Sequence, residues 1–319
     1  MADSTEDGTL IQNLGPLTLK IIALILGLVI HTFIIGVNVN DWWEGRSVTS
    51  VERVVVFLGI SRMCTQFVNV LYYSVLTFCA RSLGSYLPLL IMDMFYLFFN
   101  CSSFWLTCLL SIVFCLKIST LRTRMFLYLK TMILPRTGHF IAASGLFSAS
   151  SSIIHLCLVL NAMIKPRTYN TTMNDPNPDC IAAKNIYSFT IGSAMPISFN
   201  LIFTILLFVS LYHHTMKMKM SSNLSINLET YYSAMKFVSF IFIYNTVYFI
   251  SHSVSVFYSY LYCINPPLLY IMLEFLPALH SSYLIYRTAK LRSHMSKVLQ
   301  NVMNFLFQRK DLGKEKVGA

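Results

Sequence analysis

Charge is scarce in this chain. Of its 319 residues only 12% are Asp, Glu, Lys or Arg, while 55% are hydrophobic. A soluble domain carries about twice that share of charge. Such a composition cannot cover itself with water-facing groups, which excludes a soluble enzyme and a disordered chain; the mean hydropathy of +0.61 agrees. The spacings of common catalysts are missing as well: there is no H-E-x-x-H, no G-x-x-x-x-G-K-[ST] and no G-x-S-x-G. Eight cysteines are present, but none forms a C-x-x-C pair and most sit inside apolar runs. A disulfide-rich secreted module and a zinc module are therefore excluded, and no enzyme activity, metal or cofactor is expected. No Lys or Arg precedes Lys20, so the acidic start (Asp3, Glu6, Asp7) is not read as a secretory signal.

What the sequence does have is long apolar runs. The first extends from Leu17 to Val37, and others lie near 54–78, 86–116, 138–162, 186–212, 232–259 and 267–286. Each can cross a hydrocarbon core of about 30 Å as a helix. Pro88, Pro196 and Pro277 fall within runs, where neighbouring helices can satisfy the freed carbonyls. The ten-residue alternation of a membrane barrel is absent. The expected fold is an all-α membrane protein, a seven-transmembrane helix bundle forming a single domain over 1–319.

Lys and Arg set the expected orientation. With the N-terminus outside, inward segments hold 19 of the 24 basic residues, and Lys20, Arg81, Lys165, Arg167 and Lys184 face outward. This places the C-terminus in the cytoplasm, with 1–16 as an extracellular N-terminus, 163–185 as the second extracellular loop and 288–319 as a basic cytoplasmic tail. The net charge of +11 then belongs to inner loops rather than to a nucleic-acid surface. Asn170-Thr171-Thr172 in the long outward loop is a glycosylation sequon. No inverted repeat is visible, which disfavours a small transporter or channel, the reading from a different functional class.

Seven helices with short loops suit a G-protein-coupled receptor, yet neither an Asp-Arg-Tyr nor an Asn-Pro-x-x-Tyr is present at the expected ends of the third and seventh runs. The chain instead resembles the taste receptor type 2 family, the bitter taste receptors. Asn38-Val39-Asn40-Asp41-Trp42 is similar to N-x-x-D-W, and Leu58-Gly59-Ile60-Ser61-Arg62 matches L-x-I-S-R. Trp105, Leu110-Ser111 and Leu116-Lys117-Ile118 follow the third-span pattern of the family. Ser210-Leu211-Tyr212-His213-His214-Thr215, Ala234-Met235-Lys236 with Ser239-Phe240, and His280-Ser281-Ser282-Tyr283-Leu284-Ile285 with Lys290-Leu291-Arg292 complete the set in order. One departure stands out: His31 occupies the place of the family's first-span Asn. Vomeronasal type 1 pheromone receptors share some of this layout and form the nearest alternative; the sequon and the H-S-x-x-L-I string favour the taste family.

The resemblance implies binding of small, often apolar bitter agonists at the plasma membrane. It also implies partnership with a heterotrimeric G protein containing a gustducin-like α subunit, and signalling through phospholipase C and calcium; nucleic acid is no expected partner. By alignment Asn100 is the first candidate for agonist contact, with Tyr96 one turn above it. Tyr248 and Tyr270 place rings and hydroxyls on spans expected to border the same outer cavity. Asp93 and Glu274 are acids in the outer parts of spans, where a carboxylate facing a vestibule would attract cationic agonists.

Arg62 lies eight or nine residues into the second run, about 12–13 Å from its inner edge. A guanidinium at that depth demands acceptors. No acid is expected at its level; the resemblance points to Ser281 as a neutral partner, so an Arg62–Ser281–His31 cluster is expected, completed by carbonyls freed at Pro277 or by waters. Lys117, His214 and Lys236 at inner ends are candidates for the G-protein side, and equally for ordinary positive-inside anchors. Cys101, Cys108 and Cys115 repeat every seven residues and read as a helix contact. Cys180 is open to pairing with Cys79 or Cys263, or with neither.

Overall fold

The structure, a computed structural model, describes residues 3–78, 87–118, 124–164, 194–220, 225–262 and 267–315. Asn170, Cys79, Cys180, Cys263 and most of 163–185 lie outside the described residues. Every regular element among the described residues is a helix. They are α1 (Asp3–Trp43), α2 (Ser50–Phe78), α3 (Leu87–Ile118), α4 (Arg124–Ile133), α5 (Thr137–Ile164), α6 (Met195–Met220), α7 (Ser225–Tyr262), α8 (Pro267–Arg287) and α9 (Ala289–Glu315).

Five of them, α1, α2, α3, α5 and α7, contain segments long and apolar enough to cross a membrane, and α6 carries a shorter apolar stretch, Met195–Ser210. Two stretches read as flanking segments are helical instead: α1 begins at Asp3, and the basic tail forms α9. Helix is the form in which a chain satisfies its own backbone groups without water, so the apolar sequence and the all-helical architecture share one cause.

Local signals fix the α1–α2 turn. Gly45 takes φ 74° just after α1, the left-handed conformation that ends helices readily only at glycine. Four residues on, Thr49 and Glu52 form a reciprocal cap at the start of α2: the Thr49 N–H donates to the Glu52 carboxylate (2.7 Å) and the Glu52 N–H to the Thr49 hydroxyl (3.3 Å).

Helices α1, α2, α3, α6, α7 and α8 contact one another in that order and close a ring between α8 and α1, while α5 packs against α3 and α2 from outside. The outward faces are apolar; Ile25, Val29, Leu146, Ile202, Ile243 and Ile250 are all exposed. Inside, the two halves differ. Near the α1–α2 turn the ring is filled by an apolar core that includes Ile34, Val54, Leu58, Leu110, Val113, Phe237 and Leu284. Further from that turn many of the buried side chains are polar: Arg62, Gln66, Asn69, Asn100, Asn200, Asn245 and His280. Apolar outside and polar inside is the arrangement expected where lipid, not water, surrounds the bundle.

Candidate functional site

The polar half contains a cavity between α2, α3, α6, α7 and α8, lined among others by Arg62, Tyr96, Asn100, Tyr248 and Glu274. It has about 80 Å³ of room for the centres of water-sized groups, enough for several waters at roughly 10–15 Å³ each. Phe104 and Tyr248 meet edge to face at 5.4 Å on its wall. Asn200, Asn245 and Ser255 also line it, and each holds a buried polar atom without a protein partner: Asn200 Oδ1, Asn245 Nδ2 and Ser255 Oγ. Unpaired polar atoms in a buried wall are costly unless a guest or water meets them. That makes this cavity the candidate ligand site.

Arg62 forms its floor. Nη1 donates to the Ser281 hydroxyl oxygen (3.0 Å), to His280 Nδ1 (3.1 Å) and to the Pro277 carbonyl (3.4 Å), while Nη2 reaches Thr107 Oγ1 at 3.5 Å. His31 completes the chain of bonds. Its Nδ1 lies 2.7 Å from the Gly27 carbonyl, which only accepts, so Nδ1 carries the proton. A neutral ring then leaves Nε2 as acceptor for the Ser281 hydroxyl at 3.0 Å. Each role is filled once: Arg62 donates to Ser281, Ser281 to His31, and His31 to the backbone. The Tyr244 ring meets His280 at 4.7 Å, tilted by 36°, and also lines the cavity, so the ligand space and the arginine network share a wall.

Glu274 is placed differently from the expectation of a carboxylate waiting for a cationic guest. Lys20 Nζ approaches its Oε1 at 3.8 Å, and the Asn69 amide donates to the same oxygen. Lys20 also sits over the Tyr73 ring at 4.0 Å and is only 3% exposed. Lys20, counted in the sequence among the charges of the outward side, is buried inside the bundle. Gly27 allows the close approach of α1 and α2 here, since a Cβ at that position would overlap the Gln66 amide.

Of the other expected site residues, Asp93 does not line the cavity; its carboxylate meets His155 Nε2 of α5 at 3.2 Å. Tyr270 belongs to α8 and His214 to α6, with side chains outside the described set. Lys117 and Lys236 are exposed. Trp105 stacks on Phe147 of α5 at 5.4 Å, away from the cavity lining. Cys101, Cys108 and Cys115 are buried thiols along α3.

A second polar cluster ties α9 to the α1–α2 turn. Lys290 Nζ bonds Asp41 Oδ2 (2.5 Å), Glu52 Oε1 (2.8 Å) and Asn38 Oδ1 (3.0 Å). Burial works against its charge, but the two carboxylates outweigh that and hold the ammonium above the ordinary lysine range. Arg46 adds a 2.9 Å bond to the other oxygen of Asp41. Asn38 and Asp41 stand in the N-x-x-D-W string and Lys290 in the final basic string, so two distant motifs meet at one ammonium.

The comparisons with known proteins decide the family. The model of the taste receptor protein (TAS2R) family matches residues 11–303. The chain belongs to the taste receptor type 2 family. Among relatives, taste receptor type 2 member 16 of Rattus norvegicus is 28% identical over 232 residues, 69% of this chain and 74% of that protein. Taste receptor type 2 member 4 of Gorilla gorilla gorilla is 26% identical over 260 residues, 76% and 80% of the two chains. The member 4 protein of Homo sapiens gives the same identity and coverage. This taste receptor type 2 chain is thus a multi-pass membrane receptor of the G-protein-coupled, bitter taste class.

The reading of single residues missed Lys20, Thr107, His280, Asn200 and Asn245. A signal existed for three of them: Lys20, Asn200 and Asn245 are lone polar residues within apolar runs.

Proposed function

We propose that the receptor binds small bitter compounds in the Tyr96–Asn100–Tyr248–Glu274 cavity and passes the event to a gustducin-like G protein at the plasma membrane, with phospholipase C and calcium release downstream. On this reading α1, α2, α3, α5, α6, α7 and α8 are seven spans, with the N-terminus and 163–185 outside and the α1–α2 turn and α9 in the cytoplasm. Lys117, His214 and Lys236 then face the G protein. The observation that supports this best is the cavity itself, which holds unpaired buried donors and acceptors and shares Arg62 and Tyr244 with a network that joins α1, α2, α3 and α8. A ligand acts by binding one arrangement of those helices better than another.

Cells carrying the receptor and a promiscuous G protein should answer some members of a panel of bitter compounds with calcium release that persists without extracellular calcium. Asn100→Ala should raise the half-maximal agonist concentration several-fold at unchanged surface level, the effect of about 1 kcal/mol. Unchanged dose–response curves for Asn100→Ala and Tyr248→Ala would move the ligand elsewhere. Glycosidase should speed the wild-type chain on a gel and leave Asn170→Gln unaffected; an unglycosylated wild type at the cell surface would count against an outward 163–185.

A further inference from the structure

Three charged side chains lie in the polar half of the ring: Lys20 and Arg62, both buried, and Glu274, partly buried. Two of them cancel. Lys20 lies beside Glu274, and Asn69 adds a donor to the same carboxylate. Arg62 takes part in no ion pair among the described residues; all its partners there, Ser281, His280, Pro277 and Thr107, are neutral. The cavity is therefore bordered by one uncompensated positive charge. Neutral dipoles solvate a buried cation only in part, and a charge in a low-dielectric site attracts a counter-ion far more strongly than the same charge in water.

The donor geometry points the same way. Three acceptors crowd onto Nη1, which has two hydrogens, whereas Nη2 also has two hydrogens and only the long contact to Thr107. Across the cavity Asn245 Nδ2 is a second donor, buried and without an acceptor. The Ser255 hydroxyl is likewise unpaired and free to turn its proton inward. The free acceptor Asn200 Oδ1 suits a hydroxyl or amide on the same guest.

We propose that the cavity floor at Arg62 is a binding site for a monovalent anion, held on Arg62 Nη2 with Asn245 as a further donor. The occupant is the carboxylate or sulfonate head of a small organic acid, or chloride, which shares its chemistry. The inference rests on reading this cavity as the ligand site. It reverses the charge preference that Glu274 alone would suggest, because Lys20 has already spent that carboxylate.

The test uses the purified full-length receptor in nanodiscs of zwitterionic lipid, with thermal unfolding followed through exposure of the buried thiols Cys101, Cys108 and Cys115. Benzoate and benzenesulfonate should raise the midpoint saturably; benzyl alcohol and benzylammonium, of similar size, should not. Replacing gluconate by chloride at constant ionic strength separates the sources. A saturable shift with chloride makes the inorganic ion an occupant, and a shift confined to the aromatic anions assigns the floor to organic acids. Thr107→Asp places a carboxylate beside Nη2 and should abolish the anion shift. Lys20→Gln unmasks Glu274 while leaving Arg62 in place, and should raise the benzoate concentration needed by at least roughly tenfold. The proposal is overturned if no anion shifts the wild type, if benzylammonium shifts it as much as benzoate, or if either folded variant keeps the wild-type benzoate response. Anion binding without any calcium response would sink the signalling reading and leave the site standing. A calcium response without an anion shift would do the reverse.

Discussion

Two cations organise the interior of this receptor, and they are held in opposite ways. Lys290, at the α1–α2 turn, is partly exposed and gripped by two carboxylates and an amide. Arg62, in the middle of the bundle, is almost fully buried and among the described residues bonds only to neutral oxygen and nitrogen atoms. Opposite charges at 2.5 and 2.8 Å make the first cluster a clamp: its field is cancelled locally, and α9 is fixed to α1 and α2. The second cluster leaves net charge and an unsatisfied guanidinium edge. A cation held by dipoles alone can exchange partners at low cost, which suits an element that repacks between states.

Arg62→Ala is expected to have the largest effect. It strips Ser281, His280 and the Pro277 carbonyl of their shared donor at one stroke, so surface expression or signalling should be lost. Arg62→Lys should restore it only in part, since an ammonium cannot serve both sides of the guanidinium fork. Normal calcium responses from Arg62→Ala would remove the arginine from the switch.

Lys290→Met should cost less because its cluster is partly solvated, about 1 kcal/mol of stability, read as a lower thermal midpoint. The residual destabilisation arises because Glu52 loses its cation and Asp41 keeps only Arg46. Combining Lys290→Met with Glu52→Gln should therefore recover much of the loss in a double-mutant cycle. High salt should shrink the Lys290→Met effect, as for any partly exposed ion pair. Equal loss at low and high salt would dissolve the contrast between the two clusters.

The smallest effect is expected for His31→Asn, which puts the family's usual residue at this position. An Asn amide can donate towards the Gly27 carbonyl and accept from Ser281, as the neutral ring does. Midpoint and dose–response should stay within about 1 kcal/mol of wild type. A defect as severe as that of Arg62→Ala would show that the imidazole itself is required.

Much of this was legible in the sequence, and the reason differs from residue to residue. Arg62 announced itself by depth: a guanidinium inside an apolar run must find acceptors, and the last motif string supplied Ser281 while Pro277 stood out as a proline within the same run. Thr107 gave no comparable sign, and His280, though it opens that string, was passed over, because a Thr or a His in a span is ordinarily satisfied by its own helix or a nearby neighbour. Lys20 misled. It stands near the start of the first run, where lysines commonly reach the headgroups, and only the meeting of α1 with α8 shows that it points inward at Glu274. Asp93 misled in the opposite sense: a free carboxylate by sequence, it has His155 of α5 beside it in the fold.

The sequence by itself determined that this chain is helical, that its outer faces are apolar and that it carries the ordered strings of the taste receptor type 2 family. Those properties are local. A helix closes its hydrogen bonds within four residues, and an apolar run states its own length against a bilayer. Only the tertiary structure decided which charges cancel: Lys20 with Glu274, Lys290 with Asp41 and Glu52, and Arg62 with none among the described residues. Charge pairing depends on the rotation and register of helices far apart in the chain, which packing sets and no local pattern encodes.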